Sequence, residues 1–187
     1  PRIAVLESMN NVPTRLHRSA VVVKDLGASR DFYEGIVGFP LAATWCESNE
    51  ALGEFCHAFF GLEDHSAVAF FQFADDEKYQ ARRKPDALSP FHQHALAATL
   101  QIQDGVRSRA DPVAVAQNTI NHSYCLFLYR DDPDGLKLEI TCDTQEAKDN
   151  VSLIRNHASE ALTRWLAGDH KINNMLCSTN GRSEIIM

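Results

Sequence analysis

The sequence predicts an α+β fold in which two tandem βαβββ modules form a half-open cleft and a helical extension follows. Residues 15–74 spell the order strand, helix and three strands, and residues 89–143 repeat that order. Such a repeat is typical of duplicated units that cover each other's sheet faces. We therefore expect one domain over residues 15–143, with module one at 15–74 and module two at 89–143, and a C-terminal helix and tail at 144–187.

The first module opens with the apolar, β-branched run LHRSAVVVKD, which is typical of a strand. Asp25 then offers a helix N-cap, and Gly38 suits the left-handed residue that ends a helix before Pro40. Apolar residues recur between them at helical spacing, namely Leu26, Phe32, Tyr33, Ile36 and Val37. The segments LAATWCE, EFCHAFFGL and SAVAFFQFA are rich in aromatic and apolar residues, so we expect them to complete the module as strands.

The second module repeats this order with FHQHALAAT as its first strand and LQIQDGVRSR as its helix. DPVAVAQNTI, HSYCLFLYR and LKLEITCD follow as strands, and DPDG at 132–135 has the residues of a tight turn. Beyond Thr144 an apolar stripe predicts a helix that ends at Gly168 and covers part of the domain or a dimer surface. The stripe consists of Val151, Ile154, Ala158, Ala161, Leu162, Trp165 and Leu166.

The bulk composition disfavours several classes of protein. A formal net charge of −7 argues against a nucleic-acid partner, because phosphate contacts depend on clustered Lys and Arg. The basic cluster RRK at 82–84 is expected to lie in a solvated loop. Five cysteines without a CxxC pair favour reduced thiols over a disulfide framework or a zinc site. We see neither a secretory signal nor an apolar stretch long enough for a bilayer, so we expect a cytoplasmic protein without a membrane partner.

Several segments resemble a known family. LHRSAVVVKDLGASRDFYEGIVGFPL and SPFHQHALA resemble the module openings of vicinal oxygen chelate proteins, which include glyoxalases, bleomycin-resistance proteins and extradiol dioxygenases. YCLFLYRDDPDGLKLEITCD resembles their closing hairpin. EFCHAFFGLEDHSAVAFFQFAD and RWLAGDHKINN resemble one-domain proteins related to biphenyl-2,3-diol dioxygenase. The resemblance implies the fold, a small-molecule aromatic ligand and a homodimer.

The resemblance also implies a metal site, in which Fe(II) is held by a histidine on the first strand of each module and a glutamate on the last strand. Glu139 matches the glutamate, and it alternates with Leu138 and Ile140, so it points away from their core face. Arg18 and Gln93 stand where the two histidines are expected. His17 and His94 are each one residue away, and a one-residue offset turns a strand side chain to the other face.

Two interpretations of this altered site stay open. In the first, Arg18, Gln93 and Glu139 converge without a metal, and the guanidinium pairs with the carboxylate. The pocket then binds an aromatic or acidic small molecule, or catalyses a metal-free step through His122 or Tyr129. In the second, β-bulges turn His17 and either His92 or His94 inward, so that an iron site including Glu139 survives, with Gln93 as a further candidate ligand. The cofactor is Fe(II) in the second interpretation and absent in the first.

His122, Tyr124 and Tyr129 are candidate catalytic residues through the resemblance. His122 and Tyr124 precede the last hairpin, where the family places an acid/base histidine, and Tyr129 matches its active-site tyrosine. A histidine can move protons near neutral pH, and a tyrosine can orient a substrate oxygen. Without the resemblance, Tyr129 is equally typical of a cross-strand packing residue and His122 of an exposed strand end.

His57 and Phe71 join Arg18, Gln93 and Glu139 as candidate substrate-binding residues. His57 shares a strand face with two phenylalanines in FCHAF, and Phe71 lies in an alternating aromatic strand. A lone histidine on an apolar face is also typical of a core residue with satisfied hydrogen bonds, and Phe71 is also typical of core packing.

The leading functional prediction is an extradiol-dioxygenase-like enzyme that acts on a catechol-type or related oxygenated aromatic molecule. One alternative is a metal-independent isomerase, cyclase or lyase of a biosynthetic pathway. Another is a non-catalytic, drug-sequestering protein that binds a small molecule. Replacement of both histidine positions favours the alternatives, whereas retention of Glu139, His122 and Tyr129 favours the dioxygenase.

Overall fold

The computed structural model describes residues 13, 15–83, 93–110, 119–121, 125–170 and 184–185. The chain divides into two compact units, Pro1–Asp86 and Ala87–Met187, and each is described by itself. The predicted single domain over residues 15–143 stays a prediction.

Strands and helices follow the predicted order in both units. In the first unit they are β1 (Arg18–Val22), α1 (Leu26–Arg30) continued by a π-helical segment (Asp31–Val37), β2 (Leu41–Asn49), β3 (Gly53–Gly61), β4 (Ala67–Phe73) and α2 (Asp76–Gln80). In the second unit they are β5 (Gln93–Ala97), α3 (Leu100–Arg109), β6 (Thr119–Asn121), β7 (Cys125–Asp131), β8 (Lys137–Asp143), α4 (Gln145–Leu166) and β9 (Glu184–Ile185).

The two units carry the same sheet topology. The first sheet has the order β1-β4-β3-β2, and the second has β5-β8-β7-β6 with β9 added at its edge. In each sheet the first strand runs parallel to the last strand of its module, and the other pairs within the module are antiparallel. This arrangement confirms the predicted α+β class and its repeated βαβββ module.

The first helix begins and ends where the sequence predicts. The Asp25 side chain accepts hydrogen bonds from the backbone N–H groups of Gly27 and Ala28, at 2.7 and 3.2 Å. Gly38 closes the helix in a left-handed conformation with φ of 90°. The second half is π-helical, which the sequence does not predict, and there the N–H of Gly38 donates to the carbonyl of Tyr33 five residues earlier.

An aromatic core lies on the helix side of the first sheet. Tyr33, Phe60 and Phe70 are fully buried, and the Tyr33 ring centroid lies 4.6 Å from that of Phe70 and 5.7 Å from that of Phe60. Aromatic pairs of this kind add about 0.5–1.5 kcal/mol each beyond area burial. The helical spacing of the apolar residues therefore marks the face that packs on the sheet.

Among its described residues, the second unit has an aliphatic core that includes the buried amide of Gln103. Leu128, Leu138 and Ile140 are buried, and Gln103 of α3 is 2% exposed. The Gln103 amide donates to the backbone carbonyls of Leu126 and Ile140, at 3.2 and 3.0 Å. This amide holds the helix to β7 and β8.

Some elements differ from the sequence predictions. The short helix α2 lies between the two predicted modules, where no helix is predicted, and β9 has no predicted counterpart. The predicted strand at 111–120 is described only from Thr119, and the rest lies outside the described residues. On α4 the stripe residues Leu162, Trp165 and Leu166 are exposed rather than covered by the domain. No helix in the described part of the chain is both long and apolar enough to span a bilayer.

The cysteines that the structure describes differ in accessibility. Cys46 is exposed and Cys56 is half-buried, and their Sγ atoms lie 3.5 Å apart across β2 and β3. Cys125 and Cys142 are buried. Burial, with a smaller effect of Asp143, raises the pKa of Cys125 to about 12. Because the thiolate is the nucleophile, the buried thiols are the less reactive ones.

We expect iodoacetamide to alkylate Cys46 before Cys125 in the native protein. Near pH 8 an ordinary thiol with a pKa of about 8.5 is partly ionised, whereas the Cys125 thiol is not. Peptide mass spectrometry at successive times measures this order, and unfolding in urea is expected to remove it. Equal labelling rates of these two cysteines in the native protein contradict the prediction.

Candidate functional site

The face of the first sheet opposite the helix is lined by aromatic side chains. Antiparallel pairing sets His57 opposite Phe71 and Phe59 opposite Ala69, and it also sets Trp45 opposite His57. Alternation then places these side chains on one face, and Phe60 and Phe70 on the other. The ring contacts agree with this assignment, because the members of the aromatic face touch one another. That face consists of Trp45, Phe55, His57, Phe59, Phe71 and Phe73.

Two cavities open on this aromatic face, and both are lined by Arg18 and Trp45. The larger, about 600 Å³, also includes Phe59, His17 and other residues near the start of β1. The smaller, about 500 Å³, includes His57 and the remaining members of the face. Cavities of this size, mostly apolar with a few polar groups, are typical of small-molecule sites.

Two arginines flank the aromatic face at opposite ends. The Arg18 guanidinium lies 5.8 Å from the Phe59 ring centroid, and that of Arg82 lies 5.3 Å from the Phe73 ring centroid. Both arginines line the smaller cavity, as does Glu47. Guanidinium groups over aromatic rings can pair with a carboxylate or phenolate while the rings stack on its aromatic body.

His57 lies buried at the centre of this face, with 5% of its surface exposed. Its ring is 3.6 Å from the Phe71 centroid and 4.0 Å from the Phe59 centroid. Its Nε2 atom has no hydrogen-bond partner among the described residues. Burial, and to a smaller degree Arg18, lowers the pKa of His57. Ligand binding and core packing of His57 both stay predictions.

In the second unit, Glu139 is 4% exposed and receives two hydrogen bonds. The Gln93 amide donates to its Oε2 at 2.7 Å, and the Thr141 hydroxyl donates to its Oε1 at 2.7 Å. Gln93 starts β5, and Glu139 and Thr141 lie on β8, where alternation keeps all three side chains on one face. The structure thus brings Gln93 and Glu139 together within the second unit.

Tyr129 lies directly opposite Glu139 in the β7–β8 pair, and its ring stacks on Phe127 at 6.0 Å. The two modules can be compared by register, because Ala20 pairs with Ala69 in the first sheet as Ala95 pairs with Glu139 in the second. The first sheet therefore carries alanine where the second carries a carboxylate. Equivalent positions of the two modules therefore carry side chains of different polarity and charge.

The histidines next to the expected metal positions do not meet Glu139 within their own elements. His94 pairs with Leu138 in a register that runs unshifted from Gln93 to Ala97, so its side chain points to the other face. His17 is exposed and its Nδ1 lies 3.4 Å from the Arg18 guanidinium. His92, His122 and Tyr124 lie outside the described residues.

The described residues do not fit the Fe(II) set of two histidines and one glutamate. Arg18 stays protonated and cannot ligate a metal. Gln93 presents its amide NH₂, rather than its oxygen, to Glu139. In the described ranges, no group of three or more His, Cys, Asp or Glu side chains is arranged to hold a metal ion.

Two residues of the smaller cavity, Trp45 and Arg82, were missed at the level of sequence. Trp45 could have been found, because pairing LAATWCE with EFCHAFF as a hairpin places it opposite His57. Arg82 carried no local signal, because it lies in the charged segment that we expect to be a solvated loop. Its place over Phe73 results from the short helix α2, which turns the chain back toward the sheet.

The fold is similar to that of known structures. One is a variant of the genomically encoded fosfomycin resistance protein FosX from Listeria monocytogenes, complexed with Mn(II) and 1S,2S-dihydroxypropylphosphonic acid. It is 14% identical to this chain, with a TM-score of 0.50, and the match covers 73% of this chain and 98% of that chain. A glyoxylase/bleomycin resistance protein/dioxygenase domain from Frankia sp. EAN1pec is 13% identical, with a TM-score of 0.53 and coverage of 72% and 95%. At these identities the likeness shows the fold alone.

A comparison with curated proteins gave no match. The predicted kinship with biphenyl-2,3-diol dioxygenase-related proteins therefore stays a prediction. The family model described as Glyoxalase/Bleomycin resistance protein/Dioxygenase superfamily matches residues 15–140, which include both βαβββ modules nearly in full. The chain belongs to the glyoxalase/bleomycin resistance protein/dioxygenase superfamily.

Proposed function

We propose that this chain is an enzyme that takes an anionic, oxygenated aromatic molecule of the catechol type on the open face of its first sheet. The observation that carries the proposal is the aromatic face itself, with a guanidinium over each end. The rings offer stacking surface to a flat ligand, and Arg18 offers a charged partner to its phenolate or carboxylate. Superfamily membership supports a small-molecule ligand but leaves the reaction open.

The second unit supports a polar contact to an oxygenated ligand. The Glu139 carboxylate is held by Gln93 and Thr141, so its position is fixed before any ligand arrives. Tyr129 lies opposite it and can present a hydroxyl to a substrate oxygen. Within the second unit, Tyr129 and Glu139 stay candidate contacts for a ligand hydroxyl. His122 and Tyr124 stay candidates through the resemblance alone.

We expect 4-nitrocatechol to quench the fluorescence of Trp45, measured in a Trp165→Phe background so that Trp45 is the remaining tryptophan. Arg18→Leu is expected to weaken binding roughly tenfold, because it removes the charge that faces the phenolate. Arg30→Leu is the matched control, since Arg30 pairs with Glu34 on the exposed side of the first helix. Absence of quenching, or equal weakening by both substitutions, contradicts the proposal.

A second measurement separates the proposed site from the predicted alternatives. The purified protein is incubated anaerobically with ferrous iron, and iron content and oxygen consumption with catechol are then measured. Low iron uptake with preserved 4-nitrocatechol binding agrees with a ligand held by Arg18 and the rings. Stoichiometric iron with a yellow ring-cleavage product would instead favour the ferrous dioxygenase. Homodimer formation and cytoplasmic location stay predictions, and light scattering tests the first.

A further inference from the structure

Two cysteines lie directly opposite each other in the β2–β3 hairpin. Cys46 pairs with Cys56 in the antiparallel register, and their Sγ atoms are 3.5 Å apart. Opposite residues in an antiparallel pair have Cα atoms about 4.5 or 5.5 Å apart, and a disulfide can span either distance. Strand register, rather than a CxxC spacing, therefore brings these two thiols within reach of a covalent bond.

The two thiols differ in their access to solvent. Cys46 is exposed on β2, the last strand in the order β1-β4-β3-β2, whereas Cys56 is half-buried on β3. Burial, and then the hydrogen bond between the two thiols, raises the pKa of Cys56. A reagent in solution therefore meets Cys46 first, and Cys56 is close enough to attack the modified Cys46 sulfur afterwards.

The described cysteines of the second unit lack this placement. Cys125 pairs with Asp143 and Cys142 pairs with Leu126, so the two cysteine side chains point to opposite faces of the sheet. Both are also buried. They lie on neighbouring strands, as Cys46 and Cys56 do, yet a bond between them would require the backbone to rearrange. They are therefore an internal control for the pair in the first unit.

We propose that Cys46 and Cys56 are a site of reversible oxidation, at which a low-molecular-weight disulfide converts the two thiols into one cross-strand disulfide. The Cys46 thiolate attacks one sulfur of the small disulfide, and the released small thiolate takes up the proton that Cys46 gave. The Cys56 sulfur then gives up its proton and attacks the Cys46 sulfur, which releases the second small thiol. The two protein thiols lose two electrons in total, and the small disulfide gains them as it becomes two thiols.

The disulfide would fix the strand that carries Trp45. Among the described strands β2 pairs only with β3, and Trp45 lines both cavities of the aromatic face. Cys46 follows Trp45 directly, and alternation turns the Cys46 side chain to the opposite face, so the disulfide does not occupy the aromatic face. Oxidation is expected to stabilise the hairpin, because the bond closes a loop in the unfolded chain. This inference is independent of the proposed function.

The test equilibrates the full chain with excess oxidised glutathione, blocks the remaining thiols with iodoacetamide and digests the unfolded protein after glutamate. Glu47, Glu50 and Glu54 lie between the two cysteines, so the peptides that carry Cys46 and Cys56 stay together only if a disulfide joins them. We expect mass spectrometry to find this linked pair in most molecules and to lose it after reduction. No link is expected between the two buried cysteines of the second unit. Absence of the linked pair, or a bond from Cys46 to any other cysteine instead, overturns the proposal.

Two serine variants test the order of the steps. Cys56→Ser keeps the attacking thiol but lacks the second one, so we expect it to retain glutathione on Cys46 as a mixed disulfide. Cys46→Ser leaves only the half-buried thiol of the pair and is expected to react with oxidised glutathione roughly tenfold more slowly. Equal rates in the two variants, or a wild-type protein that retains glutathione as Cys56→Ser does, contradict the proposal.

Stability gives an independent readout. The oxidised wild-type protein is expected to unfold at a higher urea concentration than the reduced protein, whereas Cys56→Ser shows no such gain after the same treatment. A disulfide between Cys46 and Cys56 that lowers the urea midpoint would show that the fold does not accommodate the bond, and it would overturn the inference.

Discussion

We expect Phe70→Ala to lower the free energy of unfolding of the first unit by about 3–5 kcal/mol, as truncation of a buried aromatic side chain does. Phe70 is fully buried and contacts the rings of Tyr33 and Phe60. Removing its ring leaves a cavity between the sheet and the first helix. Urea denaturation followed by circular dichroism measures the change.

Phe71→Ala is the matched control, because Phe71 is the next residue on the same strand and points to the aromatic face. It is half-buried and contacts His57 and Phe55 rather than the core. We expect a smaller loss of stability than for Phe70→Ala, together with clear weakening of 4-nitrocatechol binding. Phe70→Ala should still bind the probe under conditions where it is folded. Equal effects of the two substitutions on stability and binding would contradict the assignment of the two faces.

Strand alternation and helix signals made most of the fold predictable from the sequence. The cap at Asp25 and the left-handed Gly38 are local devices, and their geometry depends on few residues beyond the helix itself. The antiparallel pairing of consecutive strands follows from short connections, whereas the parallel pairs of β1 with β4 and of β5 with β8 do not follow from strand order alone. The helix α2 also has a local signal, because the Asp75 side chain accepts from the N–H groups of Glu77 and Lys78.

The contact between Gln93 and Glu139 follows from the alternation of side chains along β5 and β8. The sequence therefore predicts that these two side chains share a face. The same reasoning could not place Arg82 over Phe73, since that contact depends on how a charged segment folds back. Nor could it show that Nε2 of His57 has no hydrogen-bond partner among the described residues, because hydrogen-bond satisfaction depends on side chains from several strands. The periodicity of a sequence predicts which side chains share a face of a sheet, whereas the contacts made on that face depend on the tertiary structure.

The second large effect is expected at the hydrogen bond between Gln93 and Glu139. Gln93→Glu replaces the donating amide by a carboxylate that would lie about 3 Å from the buried carboxylate of Glu139, so two like charges share one site. Because Gln93 itself is exposed, solvent screens part of this repulsion, and we expect the variant to lose about 1 kcal/mol at neutral pH through a raised carboxyl pKa in the folded state. Gln93→Leu is the control, because it removes the donor without adding charge and is expected to cost less.

The pH dependence of this loss follows from proton binding. In Gln93→Glu the folded carboxyl pair holds a proton to higher pH than the unfolded chain, where a glutamate has a pKa of about 4.3. The destabilisation is therefore expected to be small below pH 4 and to grow as the pH rises through the raised value. Urea denaturation of the variant and of Gln93→Leu between pH 4 and 8 measures the difference. A difference independent of pH would mean that the two carboxyl groups do not share a site, and the hydrogen bond that positions Glu139 would have to be reassigned.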